Sequence, residues 1–180
     1  MPHALVLNAT YEPLCVVPQR RALVLVLSRK AVTLEDTGAA VRSATRSIPA
    51  PSVVQLTRFV RVPFRGPVPL TRRALFARDG GRCVYCDAPA TSVDHVLPRS
   101  RGGQHIWENV VSACRRCNHV KGDRAISELG WRMRHAPRQP TGMAWRIIGT
   151  GRSDPRWVPY LAAFGHGLEV GLDEIEGVSA

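Results

Sequence analysis

Long hydrophobic runs are missing from this sequence of 180 residues: no apolar stretch reaches the roughly 18 residues that a membrane-spanning helix requires. The first residues, MPHALVLNATYEP, also lack the basic region and the long apolar region of a secretory signal peptide. Neither absence favours a secreted or membrane-embedded protein. We therefore expect a cytoplasmic protein that has no membrane partner.

Lysine is almost absent, with only Lys30 and Lys121, yet arginine makes the chain strongly basic. It contains 25 Lys and Arg against 14 Asp and Glu, a formal net charge of +11. The last twelve residues carry no basic side chain but hold four acidic ones, Glu169, Asp173, Glu174 and Glu176. The rest of the chain is therefore more basic still, which favours a polyanionic partner, with nucleic acid ahead of a membrane surface. A general preference for arginine explains Arg in place of Lys, but not the excess over acids.

A disulfide framework is not expected either, because five cysteines in a cytoplasmic chain favour a metal site or a free thiol. Four of them form two C-x-x-C pairs, CVYC at Cys83 and Cys86 and CRRC at Cys114 and Cys117. Two such pairs complete a tetrahedral four-thiolate site, typical of structural zinc, with no open position for substrate. The alternative is four reduced cysteines without metal. Cys15 stands among apolar residues and is interpreted as a small buried hydrophobic residue.

The N-terminal part of the chain has mixed helix and strand patterns. Strands are predicted near 4–8, 31–35 and 51–62, the last because it is rich in β-branched residues. Residues 19–29 favour a helix, although the alternation in ALVLVL also suits a strand. The intervening DTGAA is a turn signal.

Two helices are predicted around the cysteine-rich region. Thr71 is a good N-cap for RRALFARD, and Gly80 and Gly81 end that helix. Residues 125–135 have a helical pattern that ends before Pro137. These signals predict an N-terminal α/β segment over 1–70, a central domain with the cysteine pairs over 71–136, and a C-terminal extension with an acidic tail over 137–180.

The stretch between the cysteine pairs holds residues that a zinc ribbon does not need. In CVYCDAPATSVDHVLPRSRGGQHIWENVVSACRRCNHVKGDR, residues 83–124, the pairs accompany Asp94, His95, Asn109 and Asn118. This pattern resembles the bacterial HNH endonucleases, the ββα-metal nucleases, in their zinc-bound form. The resemblance implies an α+β fold: a ββα-metal core with a four-cysteine zinc clamp, preceded by a small mixed α/β segment. Its second strand would lie near 109–113 and its helix would begin near Asn118.

The resemblance also implies a role for each residue of this group. His95 matches the general base that takes a proton from water, and Asp94 matches the carboxylate ligand of a catalytic divalent cation. Asn109 matches the asparagine that holds the loop and the base in position. Asn118 stands where many members have a histidine, and its amide oxygen would be the second protein ligand of the cation. The adjacent His119 is an alternative ligand.

These roles are chemically consistent with phosphodiester hydrolysis. An imidazole is a competent base near neutral pH, and one carboxylate with one amide oxygen is a sparse oxygen site that suits Mg²⁺ or Mn²⁺. Four basic residues near the second cysteine pair are candidate phosphate contacts, with a solvated basic face as the alternative: Arg115, Arg116, Lys121 and Arg124. His105 is interpreted as a loop residue or a phosphate contact.

The sequence therefore predicts a metal-dependent DNA endonuclease that hydrolyses phosphodiester bonds, with double-stranded DNA as the expected partner. One alternative is a non-catalytic zinc module that binds nucleic acid, which would not need the group of Asp94, His95, Asn109 and Asn118. A nuclease directed at RNA is the other, although no aromatic RNA-recognition signature is present. The sequence does not indicate an oligomeric state.

Overall fold

The computed structural model describes residues 2–43, 45–62 and 66–165, which divide into two compact units. Among the described residues, one unit contains those up to Pro67 together with Gly142–Gly165, and the other contains Val68–Thr141. The acidic tail predicted from Glu169 lies outside the described residues. Within those ranges, no helix is both long enough and apolar enough to cross a membrane.

A four-stranded sheet forms the first unit. Its elements in chain order are β1 (His3–Leu7), β2 (Pro13–Pro18), helix α1 (Gln19–Leu27), β3 (Ala31–Arg42) and β4 (Ser47–Leu56). The strand order is β2-β1-β4-β3, with β1 parallel to β4 and the other neighbours antiparallel. Ala22 of α1 packs into a cluster of small apolar residues from the sheet, and Cys15 packs against the same cluster. The segment ALVLVL lies within α1, so the predicted helix is confirmed over the alternative strand.

The residues after Gly142 add helices α4 (Met143–Gly149) and α5 (Val158–Ala162) to the first unit. Trp145 in α4 and Trp157 before α5 are each 1% exposed. The indole Nε1 of Trp157 donates a hydrogen bond to the carbonyl oxygen of Ser52 in β4, at 2.9 Å. Part of the predicted C-terminal extension therefore packs against the N-terminal sheet.

The strand boundaries in this unit differ from the predicted ones. The strand predicted at 31–35 continues to Arg42, so DTGAA lies inside β3, where the pairing with β4 shifts register between Asp36 and Ala40. β4 begins earlier and ends earlier than the predicted 51–62. The buried Asn8 side chain explains the early end: Nδ2 donates to the carbonyl oxygen of Val60 and Oδ1 accepts from its backbone nitrogen, both at 2.9 Å. These bonds replace strand pairing for that segment.

A hairpin flanked by two helices forms the second unit: α2 (Arg72–Arg78), β5 (Ser92–His95), β6 (Val110–Ala113) and α3 (Arg115–Lys121). Strands β5 and β6 are antiparallel, and Asp94 pairs with Val111 while His95 pairs with Val110. The order β5-β6-α3 is the predicted ββα arrangement. The predicted α+β fold class is thus confirmed.

Helix α2 begins at its predicted N-cap, because the Thr71 hydroxyl accepts a hydrogen bond from the Ala74 backbone nitrogen at 3.2 Å. Leu75 and Phe76 of this helix are buried, and burial of each side chain contributes about 2 kcal/mol to the stability of the fold. The buried Asp79 follows the helix and accepts a hydrogen bond from the Ser112 backbone nitrogen at 2.6 Å. Asp79 therefore joins α2 to strand β6.

Two helix predictions in this unit require correction. Residues 125–135 contain only one 3₁₀ turn, Ser127–Leu129, which stops at Gly130 in the left-handed conformation with φ of 64°. Helix α3 begins at Arg115, before the expected start near Asn118. The reason is that Cys114 acts as its N-cap, with Sγ accepting a hydrogen bond from the Cys117 backbone nitrogen at 3.3 Å.

Candidate active site and metal cluster

The four paired cysteines come together in the second unit. The Sγ atoms of Cys83, Cys86, Cys114 and Cys117 all lie within 4.8 Å of one another, and those of Cys86 and Cys114 are 3.7 Å apart. Sulfur atoms at the corners of a tetrahedron with Zn–S bonds of about 2.3 Å are separated by about 3.8 Å. The four cysteines are thus positioned to bind one metal ion. Such an ion would link the turn before β5 to the start of α3.

Local backbone geometry brings each cysteine pair into position. The first pair sits on a tight turn in which the Cys83 nitrogen donates to Ala88 and Asp87 has a positive φ of 64°. The Val84 nitrogen donates to the carbonyl oxygen of Ser112, at 3.0 Å, which anchors this turn to strand β6. The second pair occupies the start of α3.

One thiol of the cluster is especially ready to ionise. Burial acts to raise the pKa of Cys114, but hydrogen bonds from the Cys117 backbone nitrogen and from the other thiols outweigh it and lower the pKa to about 7. The thiolate is the form that binds metal, so a lowered pKa favours metal binding near neutral pH. The pKa of Cys117 is raised, first by burial and then by its hydrogen bonds with the neighbouring thiols.

Asp94 and His95 end strand β5, and their surroundings differ. Successive residues of a strand point to opposite faces, and Asp94 is 5% exposed whereas His95 is partly exposed. The Asp94 carboxylate accepts one hydrogen bond on each oxygen: Oδ1 from Lys121 Nζ at 3.1 Å, and Oδ2 from the Tyr85 hydroxyl at 2.5 Å. Each carboxylate oxygen has two acceptor sites, so a metal can still coordinate.

Lys121 lies inside the protein, 1% exposed, and not on the surface where a phosphate contact was predicted. Its ammonium group donates to Asp94 and, at 2.7 Å, to the carbonyl oxygen of His95. The N-cap at Cys114 starts α3 early enough that Lys121 falls in its last turn, facing β5. Lys121 therefore holds the two successive strand residues from the helix side.

The phenol of Tyr85 acts as a donor to Asp94 over a wide pH range. Its pKa is raised, first by burial and then by the hydrogen bond to the carboxylate and its negative charge. Tyr85 occupies the second variable position of CVYC and its ring packs against Trp131, with centroids 5.2 Å apart. Tyr85 was not predicted as a site residue, because the spacing of a C-x-x-C pair does not distinguish the residues between its two cysteines.

The imidazole of His95 contacts a second imidazole. Its Nε2 lies 3.1 Å from Nδ1 of His105, and the two ring centroids are 5.2 Å apart with an interplanar angle of 47°. The pKa of His95 is lowered, first by burial and then by the positive charges of His105 and Arg99. A lowered pKa keeps the ring neutral, and thus able to accept a proton, at neutral pH.

Asn109 fastens the loop between β5 and β6. Its Oδ1 accepts from the Leu97 nitrogen at 2.8 Å, and its Nδ2 donates to the carbonyl oxygens of Leu97 at 3.1 Å and Gln104 at 2.8 Å. The loop runs close to itself, since a Cβ at Gly103 would lie 1.8 Å from the Leu97 carbonyl oxygen. These contacts hold the loop, and the predicted role of Asn109 in positioning the base stays a prediction.

Asn118 lies on α3 beside strand β5. Its Nδ2 donates to the Ser92 hydroxyl at 3.0 Å and to the Val93 carbonyl oxygen at 3.4 Å. Because the two ends of an amide diverge from its carbon, Oδ1 is directed away from both acceptors. The alternative ligand, His119, is exposed on the same helix.

The three remaining basic residues of the predicted phosphate surface are exposed: Arg115, Arg116 and Arg124. Arg124 donates to the Val120 carbonyl oxygen, whereas its predicted companion Lys121 is buried. Arg99, which was not predicted, lies near enough to His95 to influence its pKa. Exposed arginines therefore lie on α3, on the turn that follows it, and in the loop after β5, the strand that ends with Asp94 and His95.

Comparison with known proteins finds similarities for two segments of the chain. Residues 83–133 match the family described as HNH endonuclease, and residues 4–64 match the HNH endonuclease-associated N-terminal domain. The chain is also similar to the CRISPR-associated endonuclease Cas9 of Corynebacterium diphtheriae, with 39% identity over 51 residues. That alignment covers 26% of this chain and 5% of the relative, so the likeness concerns one segment of a much longer enzyme.

Proposed function

We propose that the protein is a metal-dependent DNA endonuclease that cuts double-stranded DNA, because residues 83–133 match the HNH endonuclease family. The observation that carries this proposal is the position of Asp94 and His95 at the end of β5, inside the ββα arrangement. A buried carboxylate next to a partly exposed imidazole supplies a metal ligand and a base within one dipeptide.

His95 is the proposed general base. Its lowered pKa supports this role, because a neutral ring can take a proton from the attacking water at neutral pH. Asn109 stabilises the loop that follows His95 through its hydrogen bonds to Leu97 and Gln104. Lys121 holds the His95 backbone through the hydrogen bond to its carbonyl oxygen. Neither of these two residues needs to touch the substrate.

Asp94 and Asn118 are the proposed protein ligands of a catalytic cation, Mg²⁺ or Mn²⁺. Tyr85 and Lys121 hold the Asp94 carboxylate, and the bonds to Ser92 and Val93 hold the Asn118 amide with its oxygen free of those acceptors. Two oxygen ligands leave room for waters and for a substrate phosphate. A cation bound there would neutralise a phosphate oxygen and the leaving alkoxide.

The four-cysteine cluster is proposed to hold zinc in a structural role. Four thiolates complete a tetrahedron, so such an ion offers no position to substrate. The cluster joins the turn before β5 to the start of α3, which carries Asn118 and Lys121. Zinc would thus fix the distance between the strand and the helix of the proposed active site.

The test is a cleavage assay on supercoiled plasmid with EDTA, with Mg²⁺ or with Mn²⁺. We expect metal-dependent nicking that falls at least about 100-fold in His95→Ala, the loss typical of a general base. The control is His3→Ala in the first unit, which should cut normally. DNA binding without cutting by the wild-type protein would contradict the proposal and favour a non-catalytic zinc module, and cutting of RNA alone would contradict DNA as substrate.

A further inference from the structure

We propose that His105 is a positioning residue that fixes the tautomer of His95, so that Nδ1 of His95 is the atom that takes the proton. This inference rests on the proposed nuclease function and assigns His105 a part in it. The carrying observation is the 3.1 Å contact between Nε2 of His95 and Nδ1 of His105.

The contact requires one proton between the two nitrogens. A neutral imidazole has one N–H donor and one lone-pair acceptor, so two arrangements are possible. If Nε2 of His95 donates, Nδ1 of His95 keeps its lone pair and the ring is a base. If Nδ1 of His105 donates instead, Nε2 of His95 is occupied as acceptor and Nδ1 of His95 carries the hydrogen. Only the first arrangement leaves His95 able to deprotonate water.

The loop presents His105 in a held position. The residues on either side of it have their carbonyl oxygens occupied: Gln104 accepts from Asn109 Nδ2 at 2.8 Å, and Ile106 accepts from the backbone nitrogens of Asn109 and Val110. The close approach at Gly103 closes the loop on its other side. His105 is thus supported by the start of β6, and the side chain of Asn109 acts on His95 by way of His105.

The surroundings of the pair favour this role over a structural one. The side chain of His105 is exposed and belongs to no core cluster, so packing does not account for its position. The other hydrogen-bonding contacts around the dipeptide engage the Asp94 carboxylate and the His95 carbonyl oxygen, whereas His105 engages the ring itself. Orientation of a base by a third group is the arrangement that nucleophile activation generally needs.

Three variants separate a positioning role from a phosphate contact. His105→Ala removes the acceptor, and His105→Asn retains one because Oδ1 of Asn can occupy the place of Nδ1. Gln104→Ala is the matched control, an exposed neighbour that contributes to the loop through its backbone carbonyl. Each is assayed in full-length protein for kcat and KM on plasmid DNA. The His95 tautomer is read from ¹⁵N chemical shifts well above the ordinary histidine pKa of about 6.5.

We expect the wild-type spectrum to show His95 protonated on Nε2. His105→Ala should give a mixture of His95 tautomers and lower kcat about 10-fold, with KM nearly unchanged. His105→Asn should restore most of the wild-type tautomer population and most of kcat. Protonation of His95 on Nδ1 in the wild type would overturn the inference. So would a rise in KM with kcat unchanged, because that result assigns His105 to phosphate binding.

The tautomer measurement and the kinetic assay together distinguish failure of this inference from failure of the proposed function. The tautomer is measured without substrate, so it remains informative if the wild-type protein cuts no DNA. A protein that cuts DNA but shows the same His95 tautomer in wild type and His105→Ala retains its nuclease function and loses this assignment.

Discussion

Lys121 is the residue whose surroundings most change the interpretation of the site. A buried ammonium group is costly unless it is paired, and here it pairs with a carboxylate that is itself buried. Its position in the sequence, three residues after Asn118, had suggested a surface contact like those of the neighbouring arginines. A sequence pattern shows that a charge is present but not which way its side chain points from a short helix.

Lys121→Met should destabilise the protein by about 3–5 kcal/mol, because Asp94 would remain buried without its countercharge. The measurement is urea unfolding in the presence of zinc. Arg124→Met, the same change at an exposed position of the same segment, should cost less than about 1 kcal/mol. Adding Asp94→Asn to Lys121→Met should recover part of the loss. Equal costs for the two single variants would contradict an internal role for Lys121.

Gly103 is a second residue at which a substitution should have a clear effect on stability. A Cβ there would lie 1.8 Å from the Leu97 carbonyl oxygen and 2.9 Å from Asn109 Nδ2, so backbone must move. Gly103→Ala should therefore cost about 1–3 kcal/mol and reduce cleavage, since the same loop carries His105. Thermal unfolding and the plasmid assay measure the two effects. Gly66→Ala, with nothing within 4 Å of its added Cβ, should leave both unchanged; a similar loss there would show that the effect is not specific to the loop.

At the scale of elements, patterns with a local physical cause were predictable. The hydroxyl cap at Thr71 and the two C-x-x-C pairs each depend on a few neighbouring residues, whereas β6 was expected from the family resemblance. The boundaries of β3 and β4 were not predictable from the sequence. The two long strands pair with each other, and this pairing continues beyond the DTGAA segment that resembles a turn. The same holds in the site, where His105 and Tyr85 gain their meaning from partners ten and nine residues away.

Removal of metal should affect elements of the second unit selectively. We expect a strong chelator to abolish amide-exchange protection in β5, β6 and α3, because structural zinc in small domains contributes about 10 kcal/mol or more to folding. Protection in β1 and β4, whose buried residues form their own cluster, should persist. Re-addition of zinc should restore the lost protection. Unchanged exchange in α3 after verified zinc removal would contradict the structural role.

At the scale of the whole molecule, charge is the property that connects the sequence with its proposed substrate. A net charge of +11 favours binding to DNA at low salt whatever the chemistry of the site. Net charge does not indicate which arginine side chains contact the DNA phosphates. The exposed arginines of α3 and of the turn that follows it are candidates because α3 also carries Asn118.

Replacing Arg115, Arg116 and Arg124 together with Gln should make DNA binding less dependent on salt. Each phosphate contact contributes about 0.9 to the slope of log K against log salt, so the triple variant should lower the magnitude of the slope by up to about 2.7. The measurement is fluorescence anisotropy with a duplex, in the His95→Ala background so that no cutting occurs. The matched control changes three exposed arginines of the first unit, Arg20, Arg42 and Arg152, to Gln. Because both triples remove the same charge, equal slopes would show that net charge alone drives binding, and a smaller slope only for the first triple would place α3 on the DNA backbone.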